Sequence, residues 1–154
     1  MNIVKHISTM KTKLFLLLVI VTFSTVAIAA TPFPGKLPGT IVGIEAANII
    51  HVNIETWPGF RRDFRVILPN LAVPGQAEEI TQCELELAQM AYDFTVNFLS
   101  DATDIRVKDM QMEHSASKDA FSSIYTSKGK LDNALRREKL AKPAVIAHNE
   151  PWCE

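Results

Sequence analysis

The strongest constraint in this sequence is a change of hydrophobic period between residues 49 and 99. Ile50, Val52 and Ile54 alternate with His51, Asn53 and Glu55, the two-residue repeat of a strand with one buried face. Trp57-Pro58-Gly59 follows as a turn, and a further strand is predicted over Asp63–Leu68, stopping at Pro69-Asn70. With an Ile/Val-rich strand over Thr40–Glu45 ahead of them, they make a three-stranded meander of about thirty residues. From Glu78 to Leu99 the repeat lengthens. Ile80, Cys83, Leu87, Met90 or Ala91, Phe94 and Phe98 now fall three or four apart, the apolar stripe of a helix. Thr81 with Glu84 three residues on predicts a capping box, and Cys83 is expected on the buried stripe.

Ile105–Met110 alternates again. Ala120–Thr126 reads as a weaker strand ending at Ser127-Lys128-Gly129-Lys130, and Leu131–Lys139 as a short helix with Leu131, Ala134 and Leu135 inward. The order is three strands, a helix, two strands, a helix. This is an α+β pattern, and one known solution to it is a five-stranded OB-fold β-barrel with a long helix after strand 3 and a short C-terminal helix.

The chain of 154 residues leaves room for one domain once a leader is removed. The leader reads in three parts. Lys5, Lys11 and Lys13 are basic, Leu14–Val21 is apolar, and Ala27-Ile28-Ala29-Ala30 is a small-residue end, the pattern of a cleavable signal peptide cut after Ala29. Met10 serves as well as Met1 for its start. A membrane anchor is the competing reading, but Thr22, Ser24 and Thr25 break a run already shorter than the roughly 20 apolar residues a spanning helix needs. The expected organisation is a signal peptide over 1–29, a Pro/Gly linker over 30–39 and a folded domain over 40–154, exported to the periplasm or beyond. The linker, with Pro32, Pro34, Gly35, Pro38 and Gly39, is expected to hold neither a helix nor an interior strand.

Of 16 basic and 17 acidic residues, the leader holds three lysines and no acid, which leaves 13 against 17, or about −4, in the mature chain. Proteins bound to nucleic acid by counterion release carry a strongly basic face instead; only Arg61-Arg62 and Arg136-Arg137 are local exceptions. Cys83 and Cys153 both lie beyond the leader. In an oxidising compartment an even pair is usually a disulfide, here closing a loop of about 70 residues and stabilising by about 4 kcal/mol. Two distant cysteines with no close histidine partner fit zinc spacing poorly.

Several motifs occur in an order that resembles the thermonuclease family, the secreted staphylococcal-type nucleases built on an OB-fold. They are the Trp57-Pro58-Gly59 turn, the Cys83-Glu84-Leu85-Glu86 opening of the helix, Lys139-Leu140-Ala141-Lys142-Pro143 after the last helix, and the closing Trp152-Cys153. The similarity runs from Thr40 to Cys153. It implies Ca²⁺ held by carboxylates, a water activated near a glutamate, and two arginines on the phosphate.

The residues at the matching positions do not supply that chemistry. Asn48 stands at the ligand aspartate's place, Ile67 at the first arginine's, Ala72 and Gly75 at those of the second acid and the glutamate, and Ala120 in the region of the second arginine. Misalignment by one or two residues brings in Arg65, Asp63 or Glu45 nearby, but not five groups together. His51, His114 and His148 lie on three segments with no ligand spacing. No metal site or cofactor is expected, Ca²⁺ entering only under a nuclease reading. Three hypotheses follow. The first is a monomeric, non-catalytic binding module for a protein, a glycan or a nucleic-acid strand, with no membrane contact after signal cleavage. The second is a Ca²⁺-dependent phosphodiesterase (endonuclease) with relocated acids. The third is a protein kept for structure within an assembly.

Overall fold

In the computed structural model, which describes residues 33–153 apart from 78, 148 and 149, the alternating segment forms strand β2 (Ile49–Trp57) and the next forms β3 (Phe60–Ile67). Ile50, Val52 and Ile54 are fully buried while His51, Asn53 and Glu55 remain half-exposed, as a strand with one face on a core requires. The apolar leader, the Ala29 cleavage site and His148 lie outside the described residues.

β1 runs from Phe33 to Ala46, so most of the stretch expected as a linker is strand. Phe33–Pro38 pairs with β5 (Arg106–Gln111), whereas Gly39–Ala46 pairs with β2. Each half of β1 is therefore bonded along one edge at a time, and Pro34 and Pro38 need no donor toward a second partner. Gly39 marks the crossing. Its N–H donates to the Ile105 carbonyl at 2.9 Å, and a Cβ there would lie 2.7 Å from Val52 Cγ1, so only glycine fits without a shift.

β6 (Asp119–Thr126) pairs antiparallel with β5 and parallel with β3. The order β3-β2-β1-β5-β6 thus closes on itself: a five-stranded mixed barrel of OB type, as the order of elements implies. Short pieces complete it. β4 (Leu71–Ala72) pairs with β8 (Lys142–Pro143), and β7 (Gly129–Lys130) extends β6. The barrel interior holds Val52, Ile54, Phe64, Val66, Val107 and Ile124, and the short helix α2 (Leu131–Arg137) adds Leu131 and Leu135 to the core.

Helix α1 (Gln82–Ser100) starts at the predicted cap, with Thr81 Oγ1 accepting from the Glu84 N–H at 3.2 Å. The Glu84 carboxylate turns instead to the Gly75 N–H at 3.1 Å, tying the preceding loop to the helix. The buried stripe is later in phase than the spacing predicts. Ala91, Thr95, Phe98 and Leu99 are buried, while Cys83 and Met90 are exposed on the helix and Ile80 just ahead of it. The first turns run past the barrel rather than onto it. Cys83 forms the disulfide with Cys153, Cα to Cα 6.4 Å, and so holds the tail against the helix from its solvent side. The tail turns through a short helix α3 (Ala144–Ala147) before it. Lys142 Nζ donates to the Pro151 carbonyl at 2.9 Å and lies 4.8 Å from the centre of the Trp152 ring.

Two substitutions separate these contributions. Phe64→Ala is expected to lower the unfolding free energy by about 3–5 kcal/mol by leaving a cavity. Cys153→Ser is expected to lower it by about 2–4 kcal/mol, chiefly by freeing the unfolded chain. Urea denaturation checks both, and an unchanged midpoint in either would refute that assignment.

Candidate functional site

The alternation that buries one side of β2 and β3 places a row of polar side chains on the other. His51, Asn53 and Glu55 stand opposite Arg65, Asp63 and Arg61 in the register. Arg61 donates to Asn53 Oδ1, to Glu55 and, through Nη2, to Thr40 Oγ1 at 3.1 Å; Asn53 Nδ2 donates to Asp63 Oδ1 at 2.6 Å. The face is a continuous hydrogen-bonded ladder from β1 across to β3.

At one end of the ladder the side chains converge on Arg65. Its Nε and Nη2 donate to the two Glu45 oxygens at 2.8 and 2.9 Å, a bidentate pair, and Nη1 donates to Asp119 Oδ2 at 3.2 Å. His51 Nε2 lies 3.0 Å from Glu45 Oε2. The hydrogen bonds from Arg65, helped by His51, hold the Glu45 carboxyl down at about 2. The same pairing lifts the Arg65 guanidinium further above its ordinary value. Strand geometry builds this. Arg65 sits between buried Phe64 and Val66 and must point outward, the parallel pairing sets it opposite Asp119, and bulges in β1 bring Glu45 alongside.

The five positions matched to a nuclease site do not gather into one. Asn48 is buried in the β1–β2 turn, where its carbonyl accepts from the Leu68 N–H at 2.9 Å and Oδ1 accepts from Gln76 Nε2 at 3.4 Å. It pins the turn to the loop after β3. Gly75 adopts φ +82°, and a Cβ there would meet Ala88 Cβ at 2.9 Å, so it lets the loop lie close on α1. Ala72 pairs with Lys142. Ile67 is half-exposed between Ile49 and Phe121 in the register. Ala120 is fully buried in the barrel, so a side chain there cannot reach a ligand outside. His114 lies in the exposed β5–β6 loop, apart from His51. Of the neighbouring residues, Glu45 and Arg65 meet, while Asp63 stays within the ladder.

Two clefts flank the loop after β3. One of about 550 Å³ lies between the β1–β2 turn and α1, lined by Ala47, Val73, Pro74, Leu85 and Tyr92. The other, of about 620 Å³, lies under the disulfide-held tail, lined by Leu71, Ala72, Glu84 and Trp152. Among the described residues, no three His, Cys, Asp or Glu side chains gather in a group able to hold a metal ion. None of the described helices is long and apolar enough to cross a membrane. Compared with models of protein families and with curated proteins, the chain matches none.

The Glu45–Arg65 pair makes stability depend on acid. Glu45 titrates near 2 in the fold against 4.5 ordinarily. The stabilisation it gives is therefore complete above about pH 4.5 and lost as pH falls toward 2. Glu45→Gln is expected to flatten the melting temperature against pH across that window; an unchanged slope would show that the pair does not carry it.

Proposed function

We propose that this chain is an exported, non-catalytic binding module, a degenerate relative of the staphylococcal-type nucleases that keeps the barrel and uses its β2–β3 face for contact. One observation carries the reading: the arginine best placed to meet a phosphate, Arg65, already spends Nε, Nη1 and Nη2 on Glu45 and Asp119. A phosphate there would have to displace two carboxylates and leave them beside new negative charge. Phosphoryl-transfer catalysis needs donors free to meet charge as it develops in the transition state. The burial of Ala120 and Asn48 and the packing duty of Gly75 point the same way. Export is supported by the Cys83–Cys153 disulfide, a bond that persists in oxidising compartments.

A Ca²⁺-dependent phosphodiesterase remains the alternative, since Glu45 and Asp119 both reach Arg65 and Asp63 lies on the same face. The assay is direct. The purified, oxidised protein is incubated with single- and double-stranded DNA and with Ca²⁺. We expect no cleavage and no Ca²⁺-dependent rise in melting temperature. Ca²⁺-dependent cleavage that Glu45→Gln abolishes would restore the enzyme.

A further inference from the structure

We infer that the C-terminal tail is a strap with a dithiol-sensitive latch. The Cys83–Cys153 bond keeps Glu150–Cys153 against the start of α1; its reduction releases the strap and removes one wall of the cleft beneath it, while the barrel stays folded. Burial gives the tail no anchor of its own. Among the described residues from Lys142 to Cys153 none is buried, and Val145 is 81% exposed. Strand pairing ends at β8, with Lys142 and Pro143 against Ala72 and Leu71, and the Ala144 N–H donates to the Asn70 carbonyl at 3.2 Å. Beyond Ala144, the polar contacts found among the described residues of the tail all come from one side chain.

That side chain is Lys142, which reaches three consecutive residues of the strap. Its Nζ donates to the Pro151 carbonyl at 2.9 Å, lies 3.7 Å from Glu150 Oε2 and stands 4.8 Å from the centre of the Trp152 ring. An ion pair with an exposed partner contributes little, because water screens it and two long side chains must be ordered to make it. A cation over a ring near the surface is likewise a weak contact. Lys142 therefore positions the strap without holding it. Holding falls to the covalent bond, which joins strap to helix whatever the balance of those contacts. In the cleft of about 620 Å³, Glu150, Pro151, Trp152 and Cys153 face Leu71 and Ala72, so the cleft lasts as long as the latch.

The latch is open to attack. Cys83 is exposed on the second residue of α1, and Cys153 is half-buried. The reductant is a dithiol. One of its thiolates attacks Cys83 Sγ, the bond between the two cysteines breaks, and Cys153 leaves as a thiolate, which frees the strap at once. The dithiol's second thiolate then attacks the dithiol's own sulfur in the mixed disulfide and expels Cys83. A thiolate in the first turn of a helix is favoured by the helix dipole and is a good leaving group. Two electrons pass from the dithiol to the protein, the dithiol becomes a disulfide, and its two protons end on Cys83 and Cys153. The barrel is closed by other means: the β1–β5 and β3–β6 seams are paired strands, and Val66, Val107 and Ile124 between them are fully buried. An oxidising compartment keeps the latch shut.

The test uses the purified, oxidised protein carrying Trp57→Phe, which leaves Trp152 as the sole tryptophan. Trp57 is 74% exposed, so the change leaves the core intact. Dithiothreitol is added without denaturant. We expect two thiols to become titratable, the Trp152 emission maximum to move to the red and its quenching by acrylamide to rise, with far-ultraviolet circular dichroism unchanged. Cys153→Ser in the same background should show the shifted emission with or without dithiothreitol. Lys142→Met should slow re-formation of the bond by an oxidised dithiol about threefold, the effect of losing a weak surface contact that returns Cys153 to Cys83. Thiols that appear only in denaturant, Trp152 emission that ignores reduction, or circular dichroism lost along with the bond would each overturn the inference. A re-formation rate indifferent to Lys142→Met would overturn the part given to Lys142.

Discussion

Three residue pairs hold the barrel shut: Arg65 with Asp119, Val66 with Ala120 and Ile67 with Phe121, the parallel contact between β3 and β6. Strands more than fifty residues apart in the chain must meet here, a slow and entropically costly kind of pairing. What rewards it is on both sides of the sheet. Inward, Val66 and Ala120 are fully buried, sealing the core against water. Outward, the same register sets Arg65 against Asp119. The charged cluster is thus a by-product of closure as much as a site, and a change in β3–β6 register by one residue would turn its side chains into the core.

That dual origin explains how the outer face reads chemically. Arg65 is anchored by two carboxylates, of which Glu45 stays ionised far into acid, and Arg61 by its own neighbours along the ladder. Such a surface is cross-linked by its own hydrogen bonds and keeps an acidic excess, with Glu45, Glu55, Asp63 and Asp119 set against Arg61 and Arg65. Arg65 has its Nε, Nη1 and Nη2 already engaged by carboxylates, and at the end of the hairpin Trp57 and Phe60 stand exposed. A barrel of OB type accounts for the fold, and the chemistry of the face has to be read from its own residues.

How much of this was legible in the sequence follows from which interactions are local. Ile50, Val52 and Ile54 announced β2 because a two-residue period is a property of the strand itself. β1 was missed between Phe33 and Gly39 because Pro34 and Pro38 argue against a strand bonded on both edges, and nothing local reveals that this strand changes partner midway. The helix was legible but not its phase, since Cys83 and Met90 fit the stripe while the barrel ends short of them. The candidate positions fared likewise. Motif spacing pointed to Asn48, Ile67, Ala72, Gly75 and Ala120, which serve the turn, the strands, a tight loop and the core. The meeting of Glu45 and Arg65 depends on bulges in β1, and an alternating pattern carries no mark of where an extra residue is inserted.

The bond between Cys83 and Cys153 also divides the molecule mechanically. It turns the chain from α1 to the tail into a covalent hoop containing β5, β6 and α2, while β1, β2 and β3 lie outside it and complete the barrel along the two seams β1–β5 and β3–β6. A pull on the two ends of the domain can therefore extend only the stretch from Phe33 to Cys83, about 170 Å when fully drawn out. The hoop carries the load without lengthening, so under tension the strands that bear the outer face are the ones to peel away.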